Sequence, residues 1–262
     1  MYGPVQRNIM PINYVRKLTG RERTADANRH LGFALAFVAG AINAGGFLAV
    51  HQYTSHMTGI VSAMADNAVL GTYDLVLAGL GALLSFLLGA ACSSIMVNYS
   101  RRREMQSEYA FPLLLEALLL LCFGILGAKL ADIDGLFVSL TVMLLCFIMG
   151  LQNATITKLS NSEIRTTHIT GIVTDIGIEL GKLMYLNSPQ YLDQPKVLAN
   201  KARLMVLISL AVCFFAGGVT GAFGFKQVGY VATVPLAIVL VTLAIVPAMD
   251  DLMVFLRKVW QK

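Results

Sequence analysis

The sequence predicts an all-α membrane protein with six full transmembrane helices and two short re-entrant or half-helices, built as two inverted repeats. Three observations predict it: a hydrophobic composition, apolar blocks of membrane-spanning length, and a polar motif that occurs twice. Of the 262 residues, 56% are hydrophobic and only 13% are charged, about half the charged fraction of an average soluble domain. So few charges cannot cover a soluble surface, and we expect the chain to lie in a lipid bilayer.

Six apolar segments are long enough to span a bilayer. A transmembrane helix needs about 20 apolar residues, because each residue rises about 1.5 Å and the hydrocarbon core is about 30 Å thick. The six segments share a nearly uniform apolar composition and lie at residues 31–50, 75–98, 110–129, 135–157, 204–224 and 228–248. Residues 1–29 form a basic head and residues 250–262 a tail, and the spans between them divide into repeats at 30–130 and 131–249.

Two shorter segments, Thr58–Leu70 and Thr170–Tyr185, contain carboxylates and decide the topology. The first is too short to span comfortably, since about 13 residues form a helix of about 20 Å. If neither segment crosses, all of the 20 Lys and Arg residues except Lys129 and Lys226 lie on one side. Positive residues concentrate on the cytoplasmic side of membrane proteins. The charges therefore favour six spans, two re-entrant elements and cytoplasmic termini.

A polar motif occurs twice along the chain. The heptapeptide His56–Ser62 recurs as His168–Thr174 with five identical and two conservative positions. Upstream, a Gly-x-x-Asn-Ala pattern that contains Asn43 recurs with Asn153. Such a match is improbable by chance, and we interpret the chain as a duplication. Because each half has three full spans, the second half enters from the opposite side, and the repeats are inverted, as in many secondary transporters.

The repeated polar residues form the candidate substrate site. An unpaired amide in an apolar helix costs about 1–3 kcal/mol, so Asn43 and Asn153 need either a ligand or an interhelical hydrogen bond. The Thr-Gly steps begin the short helices, where a Thr N-cap and free N–H groups attract an anion or simply cap the helix. The substrate-binding candidates are Asn43, His56, Thr58, Gly59, Ser62, Asn153, His168, Thr170, Gly171 and Thr174.

The histidines His56 and His168 immediately precede these helix starts. They can bind substrate, carry protons near neutral pH, or hydrogen-bond a loop. A metal role is disfavoured, because His51 and His56 are five positions apart, which is not the spacing of a helical ligand pair, and no cysteine is close in sequence. We therefore predict no metal and no other cofactor.

Three carboxylates are the candidates for proton or ion coupling: Asp66, Asp175 and Glu179. A carboxylate at membrane depth costs at least about 2.5 kcal/mol, so it usually faces protein or a water-filled cavity. Asp175 and Glu179 share one helical face, and Lys182 is spaced to neutralise Glu179. Glu116, in the middle of an apolar segment, is a further candidate; the alternative is a protonated side chain bonded to a neighbouring helix.

These motifs resemble the DUF1275 group, the YoaK family of small bacterial membrane proteins. The likeness rests on Gly40–Ala44, Met57–Gly59 and Gly150–Ala154, and it extends over most of residues 30–248. The resemblance implies a multi-pass protein of the bacterial inner membrane, without implying a particular substrate. Many members have Asp in place of Asn43; if that Asp is a coupling acid in the family, this chain either lacks the step or uses Asp66 for it.

The predicted function is a small secondary transporter or permease for a small polar solute, with or without proton coupling, whose site lies where the two broken helices meet. The alternatives are a channel, an intramembrane enzyme that uses His56, His168 and the acids, and a membrane assembly subunit. No Walker A, HExxH or GxSxG pattern occurs, which disfavours an ATP-driven motor and these enzyme classes.

The expected partners are the lipid bilayer and a small-molecule substrate. Nucleic acid is not expected, because the Lys and Arg residues lie at the ends of apolar blocks rather than on one folded face. Six spans make a small transporter, and a homodimer is compatible with that size.

Overall fold

The computed structural model describes residues 25–105, 107–130, 136–159, 167–187 and 196–260. These residues form α-helices joined by short connections, and no β-strand occurs among them. The helices are α1 (Ala25–Val50), α2 (Met57–Leu70), α3 (Tyr73–Arg102), α4 (Ala110–Leu130), α5 (Leu136–Leu159), α6 (Ile169–Met184), α7 (Lys201–Val228) and α8 (Thr233–Trp260), with a 3-10 turn, Gly229–Ala232, before the last. Most of the predicted basic head, residues 1–24, lies outside the described residues.

Five stretches of the described chain are long and apolar enough to cross a membrane: Asp26–Val50, Tyr73–Arg102, Ala110–Gly127, Leu140–Leu159 and Lys201–Met253. The last stretch contains both α7 and α8, which are separated where the backbone takes a positive φ of 60° at the first residue of the 3-10 turn. The helix α2 is apolar but shorter. The prediction of a multi-pass helical membrane protein is thereby confirmed.

The backbone conformations at the two ends of α2 place it between the long helices α1 and α3. The first of these, α1, ends where His51 takes a positive φ of 52° and its N–H donates to the Phe47 carbonyl at 2.7 Å. The end of α2 is Gly71, with a φ of 76° and its N–H bonded to the Asn67 carbonyl. Glycine accepts this left-handed cap at the least cost. Only Gly71 and Thr72 separate α2 from α3, so the two helices fold back on each other.

The most extensive helix packing joins α1 to α7. Gly217 lies against the Phe37 carbonyl, and Gly221 lies against the backbone of Ala41. A side chain at either glycine would overlap these backbone atoms, so the two helices touch directly through small residues. Residue numbers rise together along both helices, and the pair is therefore parallel. The glycine-rich face of α7 is a packing face, as its composition predicts.

The second extensive pair, α3 with α5, is also parallel. Gly89 lies against the Phe147 carbonyl, as Gly217 does against Phe37 in the first pair. One turn further on, the Ser93 and Thr155 hydroxyls share a buried hydrogen bond of 2.8 Å. Backbone contact at glycine thus recurs in both pairs.

Two antiparallel contacts complete the bundle. The helices α1 and α5 are antiparallel, because the Gln152 side-chain amide donates to the Leu35 carbonyl at 3.4 Å while Gly46 lies beside Leu145 further along. The helices α4 and α8 are also antiparallel, since the residues before α4 contact the last part of α8 and Gly124 contacts Thr233 at its start. The two helices that contain the repeated Gly-x-x-Asn-Ala pattern therefore run in opposite directions.

Burial separates inner from outer helices. A large part of the core comes from α1 and α5. By contrast, α3 exposes Leu77 and Leu88, and α7 exposes Phe215 and Phe223. Large apolar side chains on the outside of the bundle suit contact with lipid, whereas soluble monomers avoid large exposed apolar patches.

Candidate functional site

Residues 51–56 connect α1 to α2, and this connection is the polar break of the first half. It is held by Asn43, in the last part of α1. Its side-chain oxygen accepts two hydrogen bonds from Ser55, from the backbone N–H at 3.3 Å and from the hydroxyl at 2.9 Å. Both residues are half-buried. The amide therefore fixes the connection that leads into α2.

The second half repeats this arrangement with Asn153, in the last part of α5. Its side-chain oxygen accepts a hydrogen bond of 2.5 Å from the Thr167 hydroxyl. Ser55 and Thr167 each immediately precede a repeated histidine, so the two partners occupy equivalent positions beside the repeated motif. Sequence reasoning missed both hydroxyls; extending the repeat one residue upstream of the histidine would have found them.

The prediction that Thr58 and Thr170 are N-caps is wrong. The short helices begin at Met57 and Ile169, and the N-cap residues are His56 and His168. The His168 Nδ1 accepts the N–H of Gly171 at 3.1 Å, which is the bond that a Thr hydroxyl usually provides. The imidazole therefore replaces the expected hydroxyl cap.

The repeated glycines make room for these histidine rings. A Cβ at Gly59 would overlap the His56 ring, and a Cβ at Gly171 would lie 2.7 Å from His168 Nδ1. The two histidines also have similar backbone angles, with φ and ψ of −91° and 67° at His56 and −85° and 58° at His168. A histidine ring thus packs over a glycine at the start of each short helix, but only the His168 ring accepts a capping hydrogen bond, since His56 makes none.

The other predicted substrate ligands lie on the exposed faces of α2 and α6. Thr58, Ser62, Thr170 and Thr174 are all exposed, and the Thr174 hydroxyl donates to the Thr170 carbonyl at 2.8 Å. The two short helices pack against different neighbours, α2 against α3 and α6 against α7. The structure thus brings the predicted residues together within each half.

The two predicted coupling acids of α6 have basic partners. Asp175 pairs with Arg203 of α7 at 2.9 Å. The buried Glu179 pairs with Lys182 at 2.8 Å, as its spacing predicts, and accepts the Asn200 N–H at 2.7 Å. The bond from Lys182, together with the Asn200 N–H, holds the pKa of the Glu179 carboxyl below its ordinary value. These bonds fasten α6 to the start of α7.

The remaining acids differ sharply in environment. Asp66 is exposed on α2. Glu116 is fully buried within α4, and neither of its carboxylate oxygens has a hydrogen-bond partner among the described residues. Across the same residues, no three His, Cys, Asp or Glu side chains are grouped closely enough to hold a metal ion.

A polar cluster that sequence reasoning missed joins the start of α4 to its neighbours. Arg101 pairs with Glu108 and also bonds to Tyr109, whose hydroxyl donates to the Lys158 carbonyl at 3.3 Å. The backbone N–H before this pair, at Ser107, donates to the Asp251 carboxylate of α8 at 2.7 Å. These residues lie in connections and helix ends, where no repeated motif marks them.

An aromatic cluster lies at the opposite end of the α4–α8 pair. The ring centroids of Phe123 and Tyr230 are 5.6 Å apart, and each lies 6.3 Å from Phe225. The two contacts of Tyr230 are edge-on and the Phe123–Phe225 contact is tilted, and aromatic contacts at these distances favour a tightly packed group. One end of the pair is therefore held by charges and hydrogen bonds, and the other by rings.

Comparison with known proteins agrees with the resemblance seen in the motifs. The model of a family described as a protein of unknown function, DUF1275, matches residues 31–246. The chain is also similar to the UPF0700 transmembrane protein YoaK of Bacillus subtilis (strain 168), with 24% identity over 184 residues, 70% of this chain and 80% of the relative. No solved structure matches the chain. The matched range contains both copies of the polar motif.

Proposed function

We propose that this membrane protein, which belongs to the DUF1275 family, is a small secondary transporter or permease for a small polar solute. The observation that carries the proposal is that equivalent asparagines, Asn43 and Asn153, make equivalent hydrogen bonds on helices of opposite direction. Secondary transporters commonly build their sites from such inverted repeats with discontinuous helices.

The proposed topology has six full spans, with α2 and α6 as half-helices and both termini in the cytoplasm. The helix directions support it: α1 and α7 run one way, α3 and α5 run the other, and α4 opposes α5 and α8. Each half then contributes three crossing helices of alternating direction. The distribution of Lys and Arg independently supports cytoplasmic termini.

The proposed solute site lies between the two polar breaks. In the described hydrogen bonds, Asn43 and Asn153 use their side-chain oxygens to hold Ser55 and Thr167. Their N–H₂ groups are then suited to a solute with hydrogen-bond acceptors, such as a carbonyl or carboxylate. The exposed Thr and Ser hydroxyls of the short-helix starts supply further polar groups in this proposal.

A carrier fits the contacts better than a channel or an enzyme. Both ends of the α4–α8 pair are closed, by the Arg101 cluster at one end and the Phe123 cluster at the other, as expected of a protein that opens one side at a time. The His168 imidazole accepts the Gly171 N–H as a helix cap, a structural role that disfavours a catalytic histidine.

Transport is tested with the purified full-length chain. Metabolites and ions are screened for those that raise its melting temperature, and each stabilising solute is then supplied in labelled form to proteoliposomes. We expect saturable uptake that a pH gradient stimulates. Uptake should fall about 5- to 150-fold in Asn43→Ala, since a lost solute hydrogen bond costs about 1–3 kcal/mol.

The matched control is Asn98→Ala, because Asn98 is exposed and bonds only to the Lys158 ammonium in the described contacts, at 3.1 Å. Its uptake should equal that of the wild type. Flux that never saturates would indicate a channel. Stabilising solutes that are never taken up would contradict a carrier and favour a binding or assembly subunit.

A further inference from the structure

Glu116 is chemically isolated within the bundle. Among Asp, Glu, Lys and Arg, only Glu116 occurs in the central parts of the six long helices, residues 31–50, 75–100, 110–128, 136–157, 204–225 and 233–249. Its side chain is 0% exposed, and both of its oxygens lack a hydrogen-bond partner among the described residues. A carboxylate in a membrane helix normally pairs with a partner or contacts water, because leaving it alone costs several kcal/mol.

The register of α4 and α5 gives its depth. The Tyr109 hydroxyl bonds to the Lys158 carbonyl, and these helices are antiparallel. Glu116 is seven residues beyond Tyr109 and Gln152 is six residues before Lys158, so both lie about 10 Å from that bond along the helix axis. Gly150, which packs against the Phe86 carbonyl, is close to the same level. Glu116 therefore lies at the depth where α3 and α5 touch.

A second unsatisfied group lies at this depth. The side-chain oxygen of Gln152 is buried without a described partner, while its N–H₂ group donates to the Leu35 carbonyl. A neutral carboxylic acid has one O–H to donate, whereas a carboxylate has only acceptors. The centre of the bundle thus contains hydrogen-bond acceptors that have no described donor. A proton on Glu116 would supply one donor.

The elements packed on α4 offer Glu116 no counter-charge. In the central parts of α3 and α5 the titratable groups are the thiols Cys92 and Cys146 and, near the end of α3, the phenol of Tyr99; the 3-10 turn adds the phenol of Tyr230. The central part of α8, residues 233–249, contains no titratable side chain.

The charged groups lie towards the two ends of α4. At its start these are Arg101, Glu108, Lys158, Asp250 and Asp251, about two helical turns from Glu116. At its other end Lys129 is about 20 Å away along the helix. A bound proton is therefore the group that neutralises Glu116 in this arrangement.

We propose that Glu116 is the residue at which the protein binds and releases its coupling proton. This inference rests on the proposed transport function and deepens it. Asp175 and Glu179 are poorly suited to the role, since Arg203 and Lys182 already neutralise them. In the closed arrangement the neutral acid is held in apolar packing; when α4 and α8 separate and admit water, the proton leaves to water and the carboxylate is solvated.

The test uses N,N′-dicyclohexylcarbodiimide, which adds to a protonated carboxyl group in apolar surroundings. The purified full-length chain is treated at mildly acidic, neutral and alkaline pH, and its peptides are analysed by mass spectrometry. We expect an adduct on Glu116 at acidic and neutral pH that falls several-fold at alkaline pH. Asp175, which pairs with Arg203, should remain unmodified throughout.

The Glu116→Gln variant is the matched control, because its amide has the shape of the neutral acid. It should melt at the wild-type temperature and form no adduct in this peptide. The proposal is wrong if Glu116 forms no adduct at any pH, or if the yield of adduct does not change with pH. This outcome does not depend on whether the variant folds. If labelled solute is transported but Glu116 forms no adduct, this inference is wrong and the transport proposal stands. If Glu116 forms the adduct but no solute is transported, the transport proposal is wrong and the protonation of Glu116 stands.

Discussion

Replacing Gly40 with valine is expected to separate α1 from α7 and to unfold the bundle well below the wild-type melting temperature. A Cβ at Gly40 would overlap the Phe214 carbonyl, and backbone of a packed helix cannot move aside as a side chain can. Overpacking usually costs about 1–3 kcal/mol, and we expect a loss at or above the top of that range. Gly150→Val should cause a similar loss, since Gly150 meets the Phe86 carbonyl in the same way.

The chain contains its own reporter and its own controls for this experiment. Cys146 is fully buried, so once the half-buried Cys92, Cys122 and Cys213 are replaced by alanine, a maleimide dye that labels Cys146 during a thermal ramp reports unfolding. Gly177 and Gly181 of α6 have no neighbour within 4 Å of the position that a Cβ would take. Their alanine variants should be unchanged or more stable by up to about 1 kcal/mol, because glycine is a poor helix former. Gly40→Val and Gly150→Val that melt like these controls would contradict the packing described.

Replacing Asn43 or Asn153 with leucine is expected to release the short helix of the same half. Asn43→Leu leaves the Ser55 N–H and hydroxyl without their acceptor, and Asn153→Leu does the same to the Thr167 hydroxyl. Loss of a buried hydrogen-bond partner costs about 1–3 kcal/mol. Hydrogen exchange should quicken at the start of α2 in the first variant and at the start of α6 in the second.

The matched control for these variants is Asn98→Leu on the exposed end of α3. Its described partner is the Lys158 ammonium at 3.1 Å, an exposed contact whose loss should change stability by less than about 0.5 kcal/mol. Unchanged exchange at both short helices in the Asn43 and Asn153 variants would show that the amides do not hold them.

The helices could be predicted from the sequence because hydrophobic length is a local property. The segment predicted at 75–98 is α3, Tyr73–Arg102, and the extra residues at its ends include Asp74 and Arg101, which a hydropathy criterion excludes. Charged residues of this kind suit helix ends, where acidic groups favour the first turn and basic groups the last. Helix existence was therefore predictable, whereas the exact ends depend on interfacial groups.

The capping geometry could not be predicted, because it depends on how a ring folds over the backbone. Thr is a far more common N-cap than His, so the statistics favoured Thr58 and Thr170. The structure instead places His56 and His168 there, with glycine three residues later leaving room for the ring. The His-x-x-Gly spacing is present in both copies of the motif, but spacing alone does not show that the ring lies over the glycine.

Contacts between helices were the feature of the structure that was hardest to predict from the sequence. The spacing of Glu179 and Lys182 within one helix predicts their ion pair, whereas Arg203, which pairs with Asp175, comes from another helix. The backbone contacts of Gly89 and Gly217 are alike, yet these glycines are 128 positions apart, whereas Asn43 and Asn153 are 110 apart and the two heptapeptides are 112 apart. A longer connection after α6 changes the separation and conceals the match.

The proposed transport function requires the two halves to lie in the membrane with opposite orientation. Tyr73, at the α2–α3 connection, is 67% exposed, and Leu198, at the equivalent α6–α7 connection, is 75% exposed. Each is replaced by cysteine in a chain whose four native cysteines are alanine, and intact cells are treated with a membrane-impermeant maleimide. We predict that Tyr73→Cys reacts from outside, and that Leu198→Cys reacts only after the membrane is permeabilised. Reaction of both cysteines from the same side would contradict the inverted arrangement and the solute site built on it.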